Sequence, residues 1–198
     1  MGGFGGTPDF RQHSPREYSD VWIWCAALGC ASFTSFHALA QVDALFAIPF
    51  AALALYLAKT DLDRFELPDP GNLALFALGL GWIAASSSDV GEGLVQALIR
   101  ALSAAAFLVA IRTLYRAIRK LNGLGWGDVK LAAAGAVWLS WSQMPIALLI
   151  GALAGILVAT VHAACSRRTL TLHVALPFGA LLAPAIWLVW FAGLSGLL

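Results

Sequence analysis

The chain has 198 residues, of which 60% are hydrophobic and only 12% charged, with a formal net charge of +1. A soluble domain carries about twice that share of charged residues, so the composition excludes an ordinary globular enzyme and predicts an all-α, polytopic transmembrane helical bundle. The Lys and Arg residues are scattered among loops rather than gathered on one face, which leaves no surface for a nucleic acid.

Residues 1–20 mix Gly, Pro and charged side chains without an apolar core and predict a tail with no signal peptide. Seven apolar segments follow, at roughly 21–40, 43–60, 71–88, 93–119, 127–142, 144–165 and 174–197. A span needs about 20 apolar residues, and breaks this short force neighbouring helices to run antiparallel in one bundle. Cys25 and Cys30 fall in the first segment and Cys165 in the sixth, with no CxxC pair from which a zinc or dithiol centre could be built. His37 and His162 have no second ligand at metal spacing and read as packed or interfacial side chains. The expectation is that no metal and no cofactor is held.

Orientation follows from the basic residues, which favour the cytoplasmic side. With the tail inside, the loops near 59–70, 119–130 and 165–173 are cytoplasmic, and they hold Lys59, Arg64, Arg119, Lys120, Lys130, Arg167 and Arg168. The opposite loops carry Asp43, Asp89 and Glu92; Arg100, in the fourth span, is expected to snorkel outward.

The second span closes on Asp61-Leu62-Asp63-Arg64-Phe65-Glu66-Leu67-Pro68-Asp69. Its four acidic residues could be a solvated helix end cut off by Leu67-Pro68, and the glycine and closing glutamate of a calcium loop are missing. The fifth span opens on Gly123-Leu124-Gly125-Trp126-Gly127-Asp128-Val129-Lys130. Asp128 sits where a carboxylate can cap free backbone N–H groups, but a carboxylate in an apolar hairpin is costly, so a function is expected of it. The alternating glycines are expected to let another backbone come close, and Lys130 reads as an interfacial anchor. From Asp128 to Trp141 this span would make only about 21 Å of helix against a hydrocarbon core of about 30 Å, so either the bilayer thins or the glycine segment dips inward beside a wet pocket. Leu176-Pro177-Phe178-Gly179 opens the last span. If Asp61 and Asp128 approach closely, their repulsion leaves one proton shared between them, an acid and a base able to activate water against a peptide carbonyl.

Together these motifs, in this order, resemble the type IV prepilin peptidases, the bacterial branch of the GxGD membrane aspartic proteases, over about residues 43–198. The resemblance implies a six-helix peptidase core at 43–198, preceded by a tail at 1–20 and an extra N-terminal helix at 21–42. It implies Asp61 and Asp128 as the catalytic aspartates, with Asp63, Asp69, Gly125 and Gly127 in support and with Lys130, Pro177, Phe178 and Gly179 shaping the cytoplasmic mouth. The implied activity is removal of the short basic leader from type IV prepilins or type II secretion pseudopilins at the cytoplasmic face of the bacterial inner membrane. Bifunctional members add a domain with paired CxxC motifs and methylate the new N-terminus; without such motifs this chain is expected to be a peptidase alone. A tight-adherence-type pilus-assembly peptidase is similar, although its motif more often reads Ile-Pro-Asn where this chain has Leu67-Pro68-Asp69. A non-enzymatic membrane scaffold or cation transporter subunit that uses the acidic pair to bind ions is the alternative from another class.

Overall fold

A computed structural model describes residues 41–120, 123–166 and 177–195. The expected tail and first span, together with Arg167, Arg168 and the side chain of His162, lie outside the described residues. Among the described residues there are six helices: α1 (Gln41–Arg64), α2 (Asp69–Ser86), α3 (Val90–Arg119), α4 (Trp126–Ala136), α5 (Gln143–Ser166) and α6 (Phe178–Leu194). No strand occurs among the described residues.

The helix ends follow local chemistry. The Asp89 side chain accepts from the Glu92 amide (3.0 Å) and starts α3, while Arg116 and Arg119 stand in its last turn, where cations complement the helix dipole. Pro68 precedes α2 and Pro177 precedes α6, each at a position where its missing N–H costs nothing. α1 runs one turn beyond Asp61 before Phe65, in the left-handed region at φ 54°, turns the chain back towards α2.

Contacts give the directions of the helices. The backbone at Gly71 meets Leu57, and that at Gly81 meets Phe46, so α1 and α2 are antiparallel. The Ala180 amide reaches Asp61, and the Trp187 indole reaches the Ala47 carbonyl (3.2 Å), so α6 also runs antiparallel to α1. α4 lies among α2, α3 and α6. In the middle of the bundle Trp138 stacks on Phe50 (ring centroids 4.1 Å apart) and meets Trp190 edge to face.

The apolar surface is turned outward. Leu102, Phe107 and Leu114 of α3 and Leu153, Ile156 and Leu157 of α5 are exposed, an arrangement that suits lipid rather than water. α1, α3 and α5 are long and apolar enough to cross a membrane, and α6 is a shorter apolar helix.

α4 differs from its sequence expectation. It ends at Ala136 rather than near 142, and Val137, Trp138 and Leu139 continue as a buried turn. The Trp138 indole finds the Leu75 carbonyl (3.1 Å), which draws the chain off the helical path. Arg100 does not snorkel outward: its Nε and Nη2 each lie 3.4 Å from the Ala136 and Val137 carbonyls, respectively. These carbonyls are left without intrahelical partners where α4 stops, and a guanidinium satisfies them better inside the bundle than water could outside it.

One end of the bundle thus gathers residues 61–69, 123–128 and 177–180, and the other gathers Asp43, 87–89 and 140–143. Cysteines at Glu66 and at Asp89, each in a chain freed of its own three cysteines, should react with an impermeant maleimide from opposite sides of the membrane. Labelling of both from one side would contradict this arrangement of helices.

Candidate active site

The buried face of α1 reads Ala47, Phe50, Ala54, Leu57, Ala58, Asp61. That is helical spacing, and its last member is a carboxylate. Asp61 is only 5% exposed, which removes it from the solvated helix end expected of the acidic run; Asp63, on the outer side of the same helix, and Glu66 and Asp69 remain exposed. Asp61 Oδ2 accepts from the Ala180 N–H (2.8 Å). This amide is one of the free donors in the first turn of α6, and Pro177, at the N-cap, offers no side chain to cap it. A carboxylate facing a helix N-terminus is the expected solution, here supplied from a different helix.

Asp128 reaches the same place from α4. It occupies the third position of the helix, is 9% exposed, and accepts from the Gly125 N–H through Oδ2 (3.1 Å). Capping therefore uses Oδ2, while Oδ1 is turned towards Gly179, whose backbone also bonds the carboxylate. Asp128 Oδ1 and Asp61 Oδ2 each lie 3.1 Å from the point where a Cβ on Gly179 would stand. The two oxygens are thus within twice that distance of each other, facing across a residue without a side chain.

The glycines of the Gly-Leu-Gly-Trp-Gly run meet three different neighbours rather than one backbone. Gly123 faces the Tyr115 ring, Gly125 turns towards Asp128, and Gly127 admits Leu67, whose Cβ would stand 2.9 Å from an added methyl. The reason is that α4 begins at Trp126, so the regular alternation does not extend across its start. Leu67 also touches Gly179, with Cδ1 2.6 Å from the position of a Cβ there. It wedges the loop after α1 against both glycines beside the carboxylates, a role sequence reasoning missed; Phe65 at positive φ is what folds that loop inward.

A cleft of about 410 Å³ opens beside the pair, lined by Asp61, Phe65, Glu66, Leu67, Asp69, Gly125, Trp126, Gly127, Asp128 and Lys130. Lys130 Nζ bonds Asp69 Oδ1 (2.6 Å) across the mouth, so the expected interfacial anchor ties α4 to the start of α2. Both partners are largely exposed, which limits the pair to at most about 1 kcal/mol of stability. Gly179 is buried against the carboxylates, whereas Pro177 and Phe178 do not line the cleft. Among the described residues no three His, Cys, Asp or Glu side chains group as metal ligands would. Two close carboxylates with room for a peptide can exchange protons with a water and with a carbonyl oxygen, the requirement for acid–base hydrolysis.

Apolar helices with two buried carboxylates meeting at one end define a helical membrane protein with a paired-carboxylate centre. The chain belongs to the type IV leader peptidase family, whose model matches residues 48–160. It is 35% identical over 140 residues to a prepilin leader peptidase/N-methyltransferase of Burkholderia pseudomallei, covering 71% of this chain and 44% of that one. It is 30% identical over 178 residues to the protein of the same name from Pseudomonas putida, covering 90% and 59%, and 29% identical over 150 residues to that from Legionella pneumophila, covering 76% and 50%. The chain spans about half the length of these curated relatives. No solved structure gives a significant match.

Proposed function

We propose that this chain is a membrane aspartic endopeptidase that removes the leader from prepilins or type II secretion pseudopilins at the cytoplasmic face of the bacterial inner membrane. The observation that carries the reading is the approach of Asp61 and Asp128 to the same point beside Gly179. Family membership supports the reaction class, and the names of the relatives support prepilin as the substrate.

Two carboxylates this close favour the state in which they share a single proton. The ionised one takes a proton from water as the oxygen attacks the scissile carbonyl, and the protonated one gives its proton to the carbonyl oxygen. Collapse of the tetrahedral species breaks the C–N bond: the amine leaves with a proton from the dyad, a hydroxyl of the tetrahedral carbon returns its proton to the dyad as the C=O re-forms, and the shared-proton state is restored. Asp61 is held by the Ala180 amide and Asp128 by the Gly125 amide. These bonds orient the pair: Asp128 Oδ1 is turned towards Asp61 Oδ2, the same oxygen that accepts from Ala180. Glu66 leaves an acidic group on the rim of the cleft that suits a basic leader, Asp69 being paired with Lys130.

Purified chain incubated with a prepilin should release the leader as a discrete peptide by mass spectrometry, and no release would overturn the reading. The relatives' names also include methyl transfer, which the family associates with paired CxxC motifs, and this sequence has none. Given prepilin and S-adenosylmethionine, the chain should therefore cleave without transferring label. Stoichiometric methylation of the mature N-terminus would show that those motifs are dispensable.

A further inference from the structure

α4 carries Asp128, yet little in α4 itself accounts for its position. It has 11 residues, too few for an isolated helix to hold in water, and no basic residue in its last turn to meet the exposed carbonyls. α3 supplies what is missing at both ends. At the start of α4, Arg112 donates from Nη1 to the Leu124 carbonyl, and its guanidinium lies over the Trp126 ring, 4.8 Å from the centroid. At the finish, Arg100 reaches the Ala136 and Val137 carbonyls. The two arginines are twelve residues apart, as are Leu124 and Ala136. In an antiparallel pair this places a guanidinium at each end of one stretch of about 18 Å. Arg112 bonds the carbonyl of the same peptide group whose N–H, on Gly125, holds the Asp128 carboxylate.

We propose that Arg100 and Arg112 are positioning residues, which clamp α4 between them and so fix Asp128 at its distance from Asp61. The inference rests on the reading of these aspartates as the catalytic pair. Neither arginine lines the cleft, so both act through α4 rather than on the substrate. Arg100 works as a cation at a helix C-terminus, a role lysine can share. Arg112 needs a flat guanidinium to bond the carbonyl and cover the indole together, which lysine cannot do.

The test uses the full chain in lipid nanodiscs, with Arg100→Gln, Arg100→Lys, Arg112→Gln and Arg112→Lys compared for leader-cleavage kinetics and for amide exchange of the peptide covering 124–136. Each Gln variant should lose about tenfold or more in kcat, and Arg100→Gln, whose partners Ala136 and Val137 are outside the cleft, should change KM less than about twofold, because the carboxylate is misplaced while substrate binding is untouched. Exchange should rise in 124–136 and not in α1 or α6. Arg100→Lys should recover most of the rate and Arg112→Lys should not, a contrast that general destabilisation would not produce and that stays readable if a Gln variant fails to fold. Normal kcat in all four variants beside an inactive Asp61→Asn would overturn the clamp and leave the dyad standing. Full activity of Asp61→Asn itself would instead remove the reading on which the clamp rests. Loosened exchange throughout the bundle, or equal rates for the two Lys variants, would also overturn it.

Discussion

Asp61→Asn and Asp128→Asn should each reduce leader cleavage by about 10³-fold or more while the protein still inserts and folds. Asparagine keeps the shape of aspartate and can accept the same amide bond, from Ala180 at one site and Gly125 at the other, so the scaffold is retained. What it loses is the exchangeable proton. Since the two carboxylates act as one unit, the double variant should be little worse than either single one. Asp63→Asn should cost far less, because Asp63 is exposed and outside the cleft. Rates are to be measured by leader release, and folding by size exclusion in detergent. Normal cleavage in both single variants would end the aspartic-protease reading. Ion flux in proteoliposomes without any peptide would then favour the transport alternative. An essential Asp63 with a dispensable Asp61 would move the pair to other residues.

Gly179→Ala should be the most damaging small substitution outside the aspartates, with cleavage lowered by about 10²-fold. The new methyl would stand 3.1 Å from an oxygen of each carboxylate and 2.6 Å from Leu67 Cδ1. The leucine tip can swing aside at modest cost. The carboxylates cannot: Asp61 is tied to the next residue of α6, and Asp128 to the start of its own helix. The two effects separate in the double variant Gly179→Ala, Leu67→Ala, which removes the leucine contact and keeps the methyl between the carboxylates. Its thermal midpoint should return towards that of the parent while cleavage stays low. Recovery of cleavage in the double variant would show that the leucine wedge, and not the space between the carboxylates, limits the single one.

Much of this was legible in the residues. An apolar majority with little charge specifies helices in lipid, because every backbone group must then be satisfied within its own segment. The run Ala47, Phe50, Ala54, Leu57, Ala58, Asp61 shares one helical face, but Leu45, Ile48 and Leu55 make the outer side apolar too, so it was packing that decided the burial of Asp61. Pro177 and Gly179 marked a helix start. What the sequence could not assign was the partner of each. That Asp61 caps α6, that Leu67 fills the space left by Gly127 and Gly179, and that Arg100 turns inward to α4 are facts of helices distant in the chain. A free amide or an orphan carbonyl states only that some partner is required. Which side chain meets it depends on how the helices pack, and that packing also decided that α4 stops at Ala136, where Trp138 gains an acceptor and an aromatic stack in the core.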